Sequence, residues 1–350
     1  MKIMNRVSSF LMCVLFLSLG ALLIFKPEIC KNSVESAIIL CGQVLIPSLF
    51  PFSVCVLFLM NSKIFEKLEF LSPITFKIFG VSFYPFIILI FSMLGGYPIG
   101  AKLLNEAVKC EVLTQEQAEK MLCFCVNAGP AFIVSAVGSG ILKNSKIGFV
   151  LLFSHILSSL LICRFFGNIN VTSNKTNTYL SLADNFVLSA SSSANAMTGI
   201  CSYVILFSVI NGYIEHFSEK IHFLKPIMYI TEVTKAVTKT HNVYLISFLL
   251  AFSGICIWCQ ILSVTKAIKI NIFKFALFRI IHGVLSSLIT YLSLKIYPLE
   301  TKTYSNISNF SKKAFISGKA LGISLFILGV VFIISLSNRQ NRTKILEEMV

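Results

Sequence analysis

The side chains able to hold a solute sit where apolar runs break. Gly95, Gly96, Pro98 and Gly100 fall within six positions at the end of the apolar run 79–94, with Tyr97 among them and Lys102 just beyond. Proline removes a backbone donor and clashes with the preceding turn, and glycine weakens a helix. In hydrocarbon an unsatisfied peptide group costs several kcal/mol, so such a break survives only under protein or beside a water-filled cavity. The chemistry on offer is non-covalent: a discontinuous helix lining a solute path, with Lys102 to pair a carboxylate. A kink, or a helix that ends at the interface with Lys102 reaching to water, accounts for the same residues equally well.

A second break, Asn127-Ala-Gly129-Pro130, interrupts the run 121–142. Between the two breaks lies the polar hairpin 102–120, where Thr114-Gln-Glu-Gln117 is a capping box that starts a new helix. At 1.5 Å per residue both breaks lie about 10 Å into the membrane from one side. That coincidence favours a shared cavity over two unrelated kinks. Upstream, Pro47-Ser48 and Pro51 divide 37–60 into half-helices or a re-entrant hairpin, or else kink one helix whose freed carbonyl Ser48 satisfies. Downstream, Glu232, Thr234 and Lys235 interrupt a short apolar run, and 243–264 carries Gly254 and Gln260. A charge within a span costs about 2.5–3.5 kcal/mol on insertion scales, so Glu232 reads as a coupling or gating group unless it lies at the interface. Asn127, Thr234 and Gln260 can donate to a bound oxygen or re-satisfy broken backbone. Tyr97 can stack on a flat ring or stand in an aromatic belt.

No cluster has metal-ligand spacing, and no cofactor motif, H-E-x-x-H, nucleophile elbow or P-loop is present, so the chain does not read as an enzyme. Transport would then be passive or ion-coupled. His155 and His282 read as lone structural histidines. Cys256-Ile-Trp-Cys259 reads as packing, because it lacks the βαβ context of a redox pair.

The elements that carry these residues are membrane helices. Hydrophobic residues make up 56% of the 350 positions and charged ones 13%, with a mean hydropathy of +0.83. Soluble domains are nearer one quarter charged. The apolar runs are continuous rather than alternating, so the fold class is all-α, a polytopic transmembrane helical protein. The net charge of +15 sits in connecting segments, where it suits anionic lipid or an anionic solute. Nothing in it points to nucleic acid. Lys2 and Arg6 ahead of the run 7–25, and Arg339, Arg342 and Lys344 after the run 314–336, place both ends in the cytoplasm. About nine apolar stretches against an even number of crossings imply that at least one is re-entrant.

The order span, short run, polar break, turn, broken span occurs in 37–142 and again in 194–264. Interrupted segments in corresponding places of two halves are the mark of an inverted-repeat transporter with its site at the repeat interface. The expected division is 1–36 for a first helix and link, 37–166 for one repeat, 167–183 for a polar linker, 184–298 for the second repeat with a following helix, and 299–350 for a last helix and basic tail.

Leu45-Ile-Pro-Ser-Leu-Phe-Pro-Phe52, Gly96-Tyr-Pro-Ile-Gly-Ala-Lys102 and Phe124-Cys-Val-Asn-Ala-Gly-Pro130, spaced as here, resemble the YlbJ (SpoVV) sporulation integral membrane proteins. The resemblance covers roughly 37–300 and is looser in the second half, where Ala236, Ser202 and Cys256 depart from the family pattern. It implies two nucleoside-recognition Gate domains, distantly similar to concentrative nucleoside transporters. It further implies residence in the mother-cell membrane around the forespore and movement of dipicolinate toward it. Half-helix N-termini carry partial positive charge and free amides that suit such a dianion. The expected partners are a small anionic solute and the bilayer, with self-association or other spore membrane proteins open. A non-transporting scaffold for the spore envelope is the rival, against which stand the intramembrane breaks and the shortness of every polar segment.

Overall fold

A computed structural model describes residues 2–62, 64–171 and 181–299. The C-terminal run 314–336, the basic residues after it and most of the polar linker lie outside the described residues.

The regular elements of the described chain are all helices. Its elements are α1 (Lys2–Phe25), α2 (Pro27–Leu40), α3 (Ile46–Asn61), α4 (Ser72–Phe79), α5 (Phe83–Gly95), α6 (Tyr97–Lys109), α7 (Gln115–Leu122), α8 (Ser145–Phe166), α9 (Leu182–Ser218), α10 (Lys225–Thr231), α11 (Val233–Thr238), α12 (Val243–Phe252), α13 (Gly254–Val264) and α14 (Ile272–Ile296). Among the described residues the only extended pairing is an isolated bridge, Val81 to Ile169, which ties the start of α5 to the end of α8.

Short polar residues start these helices because their side chains take the orphan amides of the first turn. Thr114 and Gln117 form the expected capping box on α7. Asn144, Asn242 and Asn271 cap α8, α12 and α14 in the same way. Four helical stretches are long and apolar enough to cross a membrane: Ser145–Phe166, Leu182–Ser218, Val243–Val264 and Ile272–Ile296. A fifth forms if Pro27–Leu45 and Leu49–Asn61, bent by 47°, make one span. The chain is thus a multi-pass α-helical membrane protein.

The 47° bend falls at 46–48, on Pro47 and Ser48, where the sequence expects the run to break into two half-helices. A π-helical turn over Cys41–Leu45 leads into the bend. Pro47 falls in the first turn of α3, where a missing amide costs nothing, and Pro51 is carried inside the helix.

The core gathers α5, α6, α7, α8, α12 and α14 around Leu89, Leu104, Met121, Phe124 and Ile133. The 37-residue helix α9 lies across α2 and α3. Ser208 Oγ of α9 donates to Ser33 O at 3.0 Å, and Asn185 Nδ2 donates to Phe58 O at 3.0 Å.

The tightest approach is at Gly100 of α6. A Cβ there would lie 2.0 Å from Cys125 O and 2.5 Å from Ser92 Cβ, whereas one at Gly199 would meet nothing within 4 Å. Backbone cannot yield as a side chain tip can. Gly100→Ala is therefore expected to cost about 1–3 kcal/mol or more. It should lower the melting temperature and the monodisperse yield in detergent several-fold, while Gly199→Ala behaves as wild type. Equal behaviour of the two variants would show that α6 does not press on the 123–129 backbone.

Candidate functional site

The breaks expected from the sequence meet in space, in two pairs. In the first, α5 ends and α6 begins at Gly96, whose φ of +91° lies in the left-handed half of backbone space open to glycine. A Cβ on Gly96 would lie 3.5 Å from Gly129 N, and one on Gly129 would lie 3.4 Å from Gly96 Cα. The two glycines let backbone touch backbone. In the second pair, α10 passes to α11 at Glu232, and α12 passes to α13 at Ser253-Gly254, both with positive φ. A Cβ on Gly254 would lie 3.1 Å from Ile230 O and 3.5 Å from Glu232 N. Tyr97 joins the pairs: its hydroxyl donates to Leu250 O, one turn before the Ser253 break, at 2.6 Å.

The unwound stretch 123–129 leaves carbonyls and amides without helical partners, and buried polar groups must be paired. Side chains from three directions take them up. Phe124 O accepts from Asn127 Nδ2 at 2.8 Å and from Ser159 Oγ at 2.7 Å. Asn127 Nδ2 also donates to Ser92 Oγ at 2.9 Å. Ala128 N donates to His155 Nε2 at 3.0 Å. Arg279 of α14, fully buried, donates to the carbonyls of Cys123 and Val126. Gly129 O accepts from Phe132 N and Ile133 N at 3.1 Å and so starts the π-helical segment Ala131–Ile141 behind Pro130.

The histidines are not isolated from one another. The rings of His155 and His282 lie 4.7 Å apart, and His282 Nε2 lies 3.2 Å from His155 O. His155 meets the unwound stretch directly, and His282 packs behind it.

At the second pair, Glu232 is 5% exposed and serves as the N-cap of α11. Its Oε1 accepts from Thr234 N at 2.9 Å and its Oε2 from Lys235 N at 2.7 Å. Lys235 Nζ reaches Ser208 O of α9 at 3.5 Å. Gln260 is 1% exposed, with Nε2 donating to Cys256 Sγ at 3.5 Å and Oε1 without a partner.

Gly96, Tyr97, Gly100, Asn127, Gly129 and Pro130 thus form one contiguous unit, and Glu232, Thr234, Lys235 and Gly254 a second. Pro98 and Lys102 face away from the first break into a cavity shared with α3 and α9. Pro47 is exposed, and the side chain of Ser48 is not among those described. No group of three or more His, Cys, Asp or Glu among the described residues is placed to hold a metal.

The sporulation integral membrane protein YlbJ of Bacillus subtilis (strain 168) is 24% identical to this chain over 85% of the chain and 85% of its own length. That similarity supports the resemblance to the YlbJ proteins read from the sequence. No family model and no solved structure matches it.

The most consequential residue for the first break went unnoticed in the sequence. Arg279 stands inside the apolar run 275–296, and the rule that marked Glu232, a charge within a span, marks it too. His282, Ser286 and Thr290 continue the same buried face of α14. Hydrogen bonds from charged donors contribute about 1.5–3 kcal/mol, and orphaned carbonyls add their desolvation penalty. Arg279→Gln should therefore destabilise the fold by roughly 2–4 kcal/mol. It should also speed amide hydrogen exchange selectively in 123–129, with Arg279→Lys intermediate. Uniform exchange across the chain would deny that the guanidinium holds this stretch.

Proposed function

We propose that the chain is a sporulation membrane transporter that moves a small anion, dipicolinate, from the mother-cell cytoplasm toward the forespore, across the outer forespore membrane. The supporting observation is the contact between paired breaks: Gly96 against Gly129, and Glu232 against Gly254. Unwound backbone deep in a membrane protein is costly and is kept where a solute must pass. Four breaks arranged as two touching pairs, bridged by Tyr97, fit two Gate-type repeats related by inverted topology. The name of the Bacillus subtilis relative supplies the sporulation setting.

An anion fits the chemistry. The N-terminus of α6 has no side-chain cap, so its first amides and dipole favour negative charge. At α11 the carboxylate of Glu232 already fills the equivalent position and holds the second break in shape. A membrane scaffold for cortex or envelope assembly would need a sizeable soluble surface and would have no use for the breaks.

Radiolabelled dipicolinate flux in proteoliposomes tests the reading. Saturable flux is expected for wild type and a loss of about tenfold or more for Gly96→Leu, which forces a side chain onto positive φ and against Leu49. Tyr97→Phe, which removes only the bond to Leu250 O, should keep the fold and lower flux a few-fold. Correctly inserted wild type with no flux in either orientation, with or without an ion gradient, would favour the scaffold.

A further inference from the structure

The spanning helices do not all turn an apolar face outward. On α8 the exposed side chains include Phe149 and Phe153, and on α14 Leu277, Ile280, Val284 and Leu288, as suits lipid. The exposed face of α9 is different. Its buried side, with Met197, Ile200 and Val204, packs on α2 and α3. The opposite side carries Asn195, Thr198 and Ser202, all exposed, at the i, i+3 and i+7 spacing of one helix face. Their depth is that of mid-membrane, because neighbouring Cys201 packs in the cluster that holds Cys41, midway along the bent pair. Thr198 Oγ1 donates to Ala194 O at 3.0 Å and Ser202 Oγ to Thr198 O at 2.8 Å, which leaves each oxygen a lone pair for a neighbour. In a bilayer such side chains are presented to other helices, since hydrocarbon offers them no hydrogen bonds.

The sequence supplies a segment that fits this face. The described chain stops at Leu299, past α14, and the apolar run 314–336 follows after 300–313. The run carries Gly318-Lys-Ala-Leu-Gly322 and then Gly329. G-x-x-x-G in an apolar run of this length is the pattern of a membrane helix that packs closely against another, and at 3.6 residues per turn the three glycines share one face. The run also starts on the right side. Thr290, near the end of α14, meets Ser247 of α12 at 2.8 Å, and Lys239, just before α12, pairs with Glu215, near the end of α9. The ends of α14 and α9 are thus on one side of the membrane, and a run returning from there lies antiparallel to α9. Extended chain covers about 3.3 Å per residue, so 300–313 can carry it across the bundle.

We infer that the run 314–336 crosses the membrane against the Asn195, Thr198 and Ser202 face of α9, with Gly318, Gly322 and Gly329 turned toward it. Glycine lets the two backbones approach, and the polar side chains of α9 are then covered by protein instead of lipid. The tether favours this occupant over a second copy of the chain, because an intramolecular segment meets the face at a high effective concentration. The inference does not depend on the transport reading.

The test uses the full-length protein in lipid nanodiscs. The photo-cross-linker p-benzoylphenylalanine is placed at Leu206, exposed one turn beyond Ser202 on the same face. It is expected to join α9 to the run 314–336 of the same chain, as read by mass spectrometry on mixed isotope-labelled and unlabelled protein. Gly322→Leu should abolish that cross-link and lower the melting temperature by several degrees, while Ala320→Leu, on the opposite face of the run, behaves as wild type. Ser202→Leu should lower the melting temperature likewise, with Ser202→Ala near wild type. On a face turned to lipid, the larger apolar side chain of Ser202→Leu would leave melting unchanged or raise it. That result, with no protein cross-link from position 206, would overturn the docking. Cross-links between labelled and unlabelled chains would give the face to a second copy and overturn the assignment to the run 314–336.

Discussion

The structure depends on keeping unwound backbone satisfied inside an apolar interior. Residues 123–129 run through the core as irregular chain, and no water can serve their peptide groups there. Helices solve this problem internally, and a broken helix must borrow partners. The partners come from Asn127 within the stretch, from His155 and Ser159 on α8, and from Arg279 on α14. Each contributor fixes the placement of its own helix against the break. The packing of α8 against α14, with the His155 and His282 rings tilted against each other across it, follows from that demand.

The second half answers the same demand by different means. Instead of a long irregular stretch it has two sharp transitions, and the amides exposed at one of them are taken by a local carboxylate, Glu232. Gly254 then admits the backbone of that transition at close range. The link between halves is economical: Tyr97, next to the first break, supplies the hydroxyl for a carbonyl left over near the Ser253 break. A shift of either pair of breaks would therefore be felt by the other through one hydrogen bond and the packing of α6 against α13.

The fold class and the breaks were legible in the sequence because they rest on residue types with strong local effects. Gly96, Pro98, Gly129, Pro130 and Gly254 interrupt apolar runs, and Thr114 with Gln117 announces a helix start. The bend at Pro47-Ser48 was legible for the same reason, while Pro51, carried inside α3, leaves the same trace in the sequence without breaking the helix. The pairing of breaks was only partly visible. Equal depth suggested Gly96 with Gly129, but the meeting of Glu232 with Gly254, and of Tyr97 with Leu250, depends on tertiary placement. Arg279 and the histidine pair were missed for another reason. Their partners are backbone carbonyls and a ring on another helix, and neither has a signature at any spacing.

The distribution of charge carries the argument one step further. Among the described residues, Lys102, Glu232 and Arg279 are the charged side chains that are buried, and none of them meets an opposite side-chain charge at ion-pair distance. Glu232 and Arg279 spend their charge on backbone, the acid on amides at a helix start and the base on carbonyls in unwound chain, so each is compensated by peptide dipoles. Lys102 has a single carbonyl. A buried cation held by a single carbonyl is costly in an apolar interior, so Lys102 is the charge that this fold compensates least.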